Sequence, residues 1–155
     1  MDETTFKCKL DNANQMVSFT SDKVRWLDVV KDYDMIKEYF KVFNVDIEER
    51  EPNSMYFGIN VNDYSETKLA KGKLCAFIDN GNILSFAGVK YTSSNIWEIC
   101  AGSTHPQYLS KGYCKAVTSF IAKYILENNK RAFCETNIDN KAAQKVLQEI
   151  GMIRI

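Results

Sequence analysis

The stretch Glu98-Ile-Cys-Ala-Gly-Ser-Thr-His-Pro-Gln-Tyr-Leu-Ser-Lys-Gly-Tyr-Cys114 decides the reading of this chain. Ile96 to Ala101 predicts a strand. Pro106 then turns the chain. Gly112 opens a segment in which Val117, Phe120, Ile121, Tyr124 and Ile125 recur at helical spacing, to about Asn128. The start of a helix exposes unpaired N–H groups and a partial positive charge, which suits an anion such as a pyrophosphate. Lys111 and Lys115 add formal charge beside it. The same residues also fit an ordinary strand-to-helix turn with surface lysines, which is a common arrangement.

Downstream, Arg131 to Thr136 predicts a short strand. Asp139 to Ile150 predicts a helix with Ala143, Val146, Leu147 and Ile150 on one face, Asp139 as its N-cap and Gly151 as its closing residue. Upstream, Leu74 to Ile78 and Ile83 to Tyr91 flank Asp79-Asn80-Gly81-Asn82. Asn-Gly there supplies the positive φ angles of a tight hairpin turn. Met55 to Val61 predicts a strand. Ser21 to Asn44 lacks Gly and Pro, and Trp26, Val29, Val30, Tyr33, Ile36, Phe40 and Phe43 predict one long or two short helices, capped by Ser21 or Asp22. Phe6 to Leu10 and Met16 to Thr20 predict short strands. Asp46 to Glu51 reads as an exposed acidic loop, and a polar loop joins Val61 to Leu74. The order implies an α/β (α+β) fold with a mixed, mostly antiparallel sheet and helices on both faces.

Composition narrows the function. The 155 residues fit one domain with a real core. Lys+Arg 20 against Asp+Glu 20 leaves no net charge to draw in nucleic acid. No apolar run approaches the roughly 20 residues that span a bilayer, and the acidic start Met1-Asp2-Glu3 is not a secretory leader. Cys8, Cys75, Cys100, Cys114 and Cys134 are scattered and form no C-x-x-C pair. That argues against a disulfide framework or a metal site and for a reducing cytoplasmic setting. His105, beside Pro106, reads as solvated, and Trp26 and Trp97 as core or cleft-wall aromatics.

The decisive stretch resembles the acyl-CoA loop of the GNAT superfamily of N-acetyltransferases, which runs Arg/Gln-x-x-Gly-x-Gly/Ala and commonly appears as Thr-x-Pro-x-Tyr-Arg-Gly-x-Gly-Tyr-Ala. Thr104, Pro106, Tyr108, Gly112 and Tyr113 match. Asn140-Lys-Ala-Ala143, followed by Ile150-Gly151, resembles the family's Asn-x-x-Ala…Leu-Gly-Phe segment. Glu98 matches an acidic residue common on the family's fourth strand. The resemblance covers roughly residues 74 to 152. It implies one domain, with 74–155 as the acyl-CoA core and 1–73 as the acceptor-side, helical part. The acceptor pocket would be built by the N-terminal helices and the loop from Asn62 to Lys73. Departures are Leu109 for Arg/Gln, Ser110 for Gly, Cys114 for Gly/Ala, Leu147 for the tyrosine that protonates the leaving thiolate, and Met152 for Phe. The family's last two strands have no counterpart before Ile155. Either the chain is cut short, the N-terminal segment supplies the strands, or the domain is atypical.

The resemblance further implies acetyl-CoA as co-substrate and no metal. Backbone N–H groups of Leu109, Ser110, Lys111, Gly112, Tyr113 and Cys114 would hold the pyrophosphate. Gly102, Ser103 and Thr104 would bond the pantetheine arm, with Asn140 and Ala143 on its other side. An amine, not identified by the sequence, would attack the thioester directly. Glu98 is the candidate base, directly or through water, or else a strand glutamate paired with a lysine. Tyr108 and Tyr113 are substitute acids. Cys100 offers a covalent route, without a histidine to activate it. Two further readings stand beside the enzyme: a non-catalytic acyl-CoA-binding regulatory module, and an interaction domain without cofactor. An unfinished sheet edge would invite homodimer pairing.

Overall fold

The computed structural model describes residues 4–19, 21–28, 30–41, 55–56, 59–60, 71–104 and 111–155. Its elements are β1 (Thr5–Leu10), a 3-10 turn (Ala13–Gln15), β2 (Val24–Trp26), α1 (Tyr33–Lys41), β3 (Met55–Tyr56), β4 (Ile59–Asn60), β5 (Gly72–Asp79), β6 (Asn82–Lys90), β7 (Ile96–Thr104), α2 (Tyr113–Glu127), β8 (Arg131–Asn137), α3 (Lys141–Glu149) and β9 (Ile153–Arg154). Among the described residues, seven strands form one sheet in the order β2-β5-β6-β7-β8-β1-β9, and β3 pairs with β4 apart from it. Every pair in the main sheet is antiparallel except β7 with β8.

Local chemistry explains the central strands. Asn80 and Gly81 take φ of 50° and 74°, the left-handed pair that lets β5 turn directly into β6. Alternation along β1 buries Phe6, Cys8 and Leu10. These meet Val117, Ile121 and Ile125 of α2, and Leu147 and Ile150 at α3, in one core. Each such fully buried aliphatic side chain contributes about 1.5–3 kcal/mol. On the other face, Ile36, Tyr39 and Phe40 of α1 cover Leu74, Ala76, Ile83 and Phe86.

Several expectations are corrected. Trp26 lies in a strand, because β2 pairs with β5 at Trp26–Cys75. The helix begins only at Tyr33 and is not capped by Ser21 or Asp22. Arg25 instead grips Asp32 through two hydrogen bonds of 2.9 and 3.0 Å, and Asp32 Oδ2 accepts the Asp28 N–H at 2.8 Å. Residues 16–19 form no strand. Val17 N–H donates to the Ile150 carbonyl at 2.9 Å, and Phe19 N–H to Ser119 Oγ at 3.2 Å, so the segment straps the helical layer. Asn140, not Asp139, caps α3. Gly151 closes α3 with φ of 100°, and a Cβ there would collide with the Gln15 carbonyl oxygen. The predicted single strand at Met55 to Val61 is two short ones, with Val61 outside the described residues. The loops at 46–51 and 62–70 also lie outside them.

The N-terminal segment supplies a strand next to β8. β1 runs antiparallel to β8 over six rungs, from Thr5–Asn137 to Leu10–Ala132, and β9 pairs on its far side. Residues 4–41 therefore contribute β1 and β2 to the main sheet as well as α1 to one of its faces.

Candidate active site

Two parallel strands part at the centre of the sheet. β7 and β8 are joined at Ile96–Arg131, Trp97–Ala132 and Glu98–Phe133. Beyond Glu98 no rung joins them among the described residues. Alternation puts Glu98, Cys100, Phe133 and Glu135 on one face, and Ile99, Ala132, Cys134 and Thr136 on the face where α2 and α3 pack. A cavity of about 220 Å³ fills the gap. It is lined from the helical side by Cys114, Thr118, Asn140, Ala143, Val146 and Leu147, and from the strands by Glu98, Cys100, Cys134, Glu135 and Thr136. Residues of both faces line it, so it reaches through the sheet.

A bulge lies on the β6 side of β7. Phe86 pairs with Ser103, and Gly88 with Cys100, so Ala101 and Gly102 together oppose Ala87. A bulge leaves backbone groups out of the ladder and re-aims the strand beside an opening. Past it, Thr104 Oγ1 and Ser85 Oγ are 2.9 Å apart.

Gly112 precedes α2 with φ of 85°, and among the described residues no side chain caps the helix. A Cβ there would meet nothing within 4 Å. The glycine is thus required by its backbone angle, while no described residue fills the space beside it. A helix that begins without a side-chain cap presents its first N–H groups to an incoming acceptor. Cys114, in this first turn, lines the cavity. Lys111 is exposed. Lys115 is committed elsewhere: its Nζ is 2.6 Å from Glu149 and 4.7 Å from the Phe19 ring centre.

The structure brings Glu98, Cys114, Asn140 and Ala143 to one cavity. Glu98 is half-buried, and burial raises its pKa above the ordinary carboxylate value. Lys90, its partner on β6, pulls the other way, and Glu135 adds to the rise. No hydrogen bond or ion pair holds Glu98 among the described residues. Burial pushes the Cys100 thiol up to about 12 and raises Cys114, while the hydrogen bond with Cys8, followed by burial, raises Cys134. Those thiols stay protonated and poorly nucleophilic. Asn140 Oδ1 accepts the Ala143 N–H at 3.1 Å, which leaves its amide NH₂ for another partner.

Tyr113 is not brought in. Its ring packs against Phe77 at 4.5 Å, and it does not line the cavity. Tyr108, Leu109, Ser110 and His105 lie outside the described residues, as do the side chains of Gly102 and Ser103. Cys134, Glu135 and Thr136 are cavity residues that the sequence did not single out. The alternation of β8 carried that signal, but only against a known splay. Among the described residues, no three His, Cys, Asp or Glu side chains converge as a metal site, and no helix is long and apolar enough to cross a membrane.

The family model described as acetyltransferase (GNAT) family matches residues 33–152. No curated protein matches the chain. Among solved structures, the fold is similar to a GNAT-family protein from Novosphingobium aromaticivorans, with TM-score 0.67 and 12% identity over 99% of this chain and 60% of that one. It is also similar to a GNAT-family acetyltransferase from Colwellia psychrerythraea, with TM-score 0.65 and 12% identity over 99% and 53%. An aminoglycoside acetyltransferase from an uncultured soil metagenomic sample, solved with trehalose, aligns with TM-score 0.58 and 12% identity over 83% and 86%. At these identities the likeness shows the fold. The chain spans about three-fifths of the length of the first of these proteins and about half that of the second.

Proposed function

The chain belongs to the acetyltransferase (GNAT) family, and from that premise we propose that it transfers an acetyl group from acetyl-CoA to an amine by direct attack. The observation that carries this reading is the cavity in the β7–β8 splay, with the uncapped start of α2 at Gly112 on its helical side and Glu98 on the opposite face.

The residues present fit an acyl-CoA. N–H groups at the start of α2, with that of Lys111 before it, would receive the diphosphate; Leu109 and Ser110, which the family motif adds, lie outside the described residues. Backbone groups freed at the 101–102 bulge, together with Ser103 and Thr104, receive the pantetheine amides. Asn140 offers its NH₂ and Ala143 its small side chain from the other wall. The substrate supplies an activated thioester. The protein orients it and removes a proton from the acceptor.

An alkylamine has a pKa near 10.4 and must lose a proton before it attacks. Glu98 is positioned to take that proton, because its raised pKa makes it a better base than a solvated carboxylate. Leu147 is buried in the cavity wall and has no proton to give. The leaving thiol, with a pKa near 8.5, then departs as thiolate. The thiols of Cys100 and Cys134 remain protonated, which disfavours a covalent acyl-cysteine.

The same reading assigns residues 1–73 chiefly to the acceptor side, 74–155 to the acyl-CoA core, and the protein to the cytoplasm. A regulatory module that binds acyl-CoA without turnover is the second reading, favoured by Leu147 in that wall. Thiol release from acetyl-CoA across a panel of amines separates the two. The enzyme reading predicts amine-dependent release, and binding with no release by any amine supports the module.

A further inference from the structure

We propose that the outer side of the C-terminal half of α2 carries a second binding site, for a methylated ammonium group, formed by Trp26, Phe120, Tyr124 and Glu127. A cavity of about 240 Å³ opens there, lined by these four residues with Ser21 and Lys123. It shares no residue with the cavity between β7 and β8.

Its walls combine aromatic faces with one carboxylate, and the ammonium groups of Lys73 and Lys123 already lie against them. The Trp26 ring meets Phe120 at 5.1 Å and 70°, and Tyr124 at 4.7 Å and 76°. Two rings thus stand steeply against the indole and form a corner of π surface. Aromatic faces carry negative potential and attract cations. Glu127 is the last residue of α2, so its carboxylate adds to the negative end of the helix.

The chain already places ammonium groups against this corner. Lys73 Nζ lies 5.3 Å from the Trp26 ring centre and 5.8 Å from that of Tyr124. Lys123 Nζ is 3.8 Å from Glu127, with side chains 55% and 63% exposed. That ion pair is long and well solvated, so it is cheaply displaced. A free primary ammonium is strongly hydrated and gains little by competing with these lysines. A methylated ammonium spreads its charge over methyl groups that bind water weakly and pack against rings. This chemistry occurs in choline headgroups and in methylated lysine side chains.

The test uses the whole chain and follows the Trp26 indole signal by NMR during titration with choline. The uncharged isostere 3,3-dimethylbutanol is titrated in parallel. Choline is expected to shift the Trp26, Phe120 and Tyr124 signals saturably, with the isostere about tenfold weaker. Glu127→Gln should weaken choline several-fold without changing Tm, and Phe120→Leu should weaken it with the fold retained. A trimethyllysine peptide and phosphocholine should each compete with choline, and the one that competes at lower concentration identifies the source. Equal binding of choline and its uncharged isostere would reduce the corner to an apolar rim of the core. That result, no saturable shift with choline, or failure of both competitors overturns the proposal.

Discussion

Glu98 and Phe133 form the last rung between the parallel strands β7 and β8, and the sheet opens immediately beyond them. The carboxylate therefore stands at the edge of the opening, half-buried and with no hydrogen bond or ion pair among the described residues. The proposed proton transfer follows from that placement.

Glu98→Gln should lower the amine-dependent rate by about 10²- to 10⁴-fold, the usual contribution of a general base. In the wild type, the rate should rise with pH as Glu98 deprotonates, with a midpoint above the ordinary glutamate value because burial raises its pKa. The variant should lack this acid limb. An unchanged rate in Glu98→Gln removes it as base.

The same shift has a stability consequence. A carboxyl whose folded-state pKa is raised contributes stability below its unfolded pKa and loses it as pH rises through the folded value. At neutral pH Glu98 is therefore a burden on the fold. Glu98→Gln should raise Tm at pH 7 while it lowers the rate. A fall in Tm would contradict the burial argument.

Asn140 has two roles that substitutions can separate. Its Oδ1 caps α3 through the Ala143 N–H, so Asn140→Ala should cost about 1 kcal/mol. Asn140→Asp keeps a capping oxygen and removes the NH₂ donor. It should leave Tm nearly unchanged and weaken acetyl-CoA binding. Intact affinity in Asn140→Asp confines Asn140 to the cap.

Gly151 is the sharpest test of the strapping segment. Gly151→Ala would put a Cβ into the Gln15 carbonyl oxygen at a φ of 100°. Chemical denaturation should show a loss of more than about 1 kcal/mol.

Features set by neighbouring residues were legible in the sequence. Asn80-Gly81 announced the β5–β6 turn, Gly112 the start of α2, and Gly151 the end of α3, since each depends on a local backbone angle. Trp26 was misread because a three-residue edge strand takes its conformation from β5, far along the chain. The helical spacing from Trp26 to Tyr33 arises without a helix. The place of β1 beside β8 was one of three alternatives the sequence left open, because it is set by pairing far along the chain, as at Cys8–Cys134. Of the residues that line the cavity, Glu98, Cys114, Asn140 and Ala143 were singled out by their motifs. Glu135 and Thr136 become visible only once the two strands are seen to separate.

The most direct test of the central claim is an amide NMR titration of the chain with acetyl-CoA. Saturable shifts are predicted at Gly112 to Lys115 and at Thr136 to Ala143, the two walls of the splay. Absence of binding, or shifts confined to residues away from both walls, would contradict it.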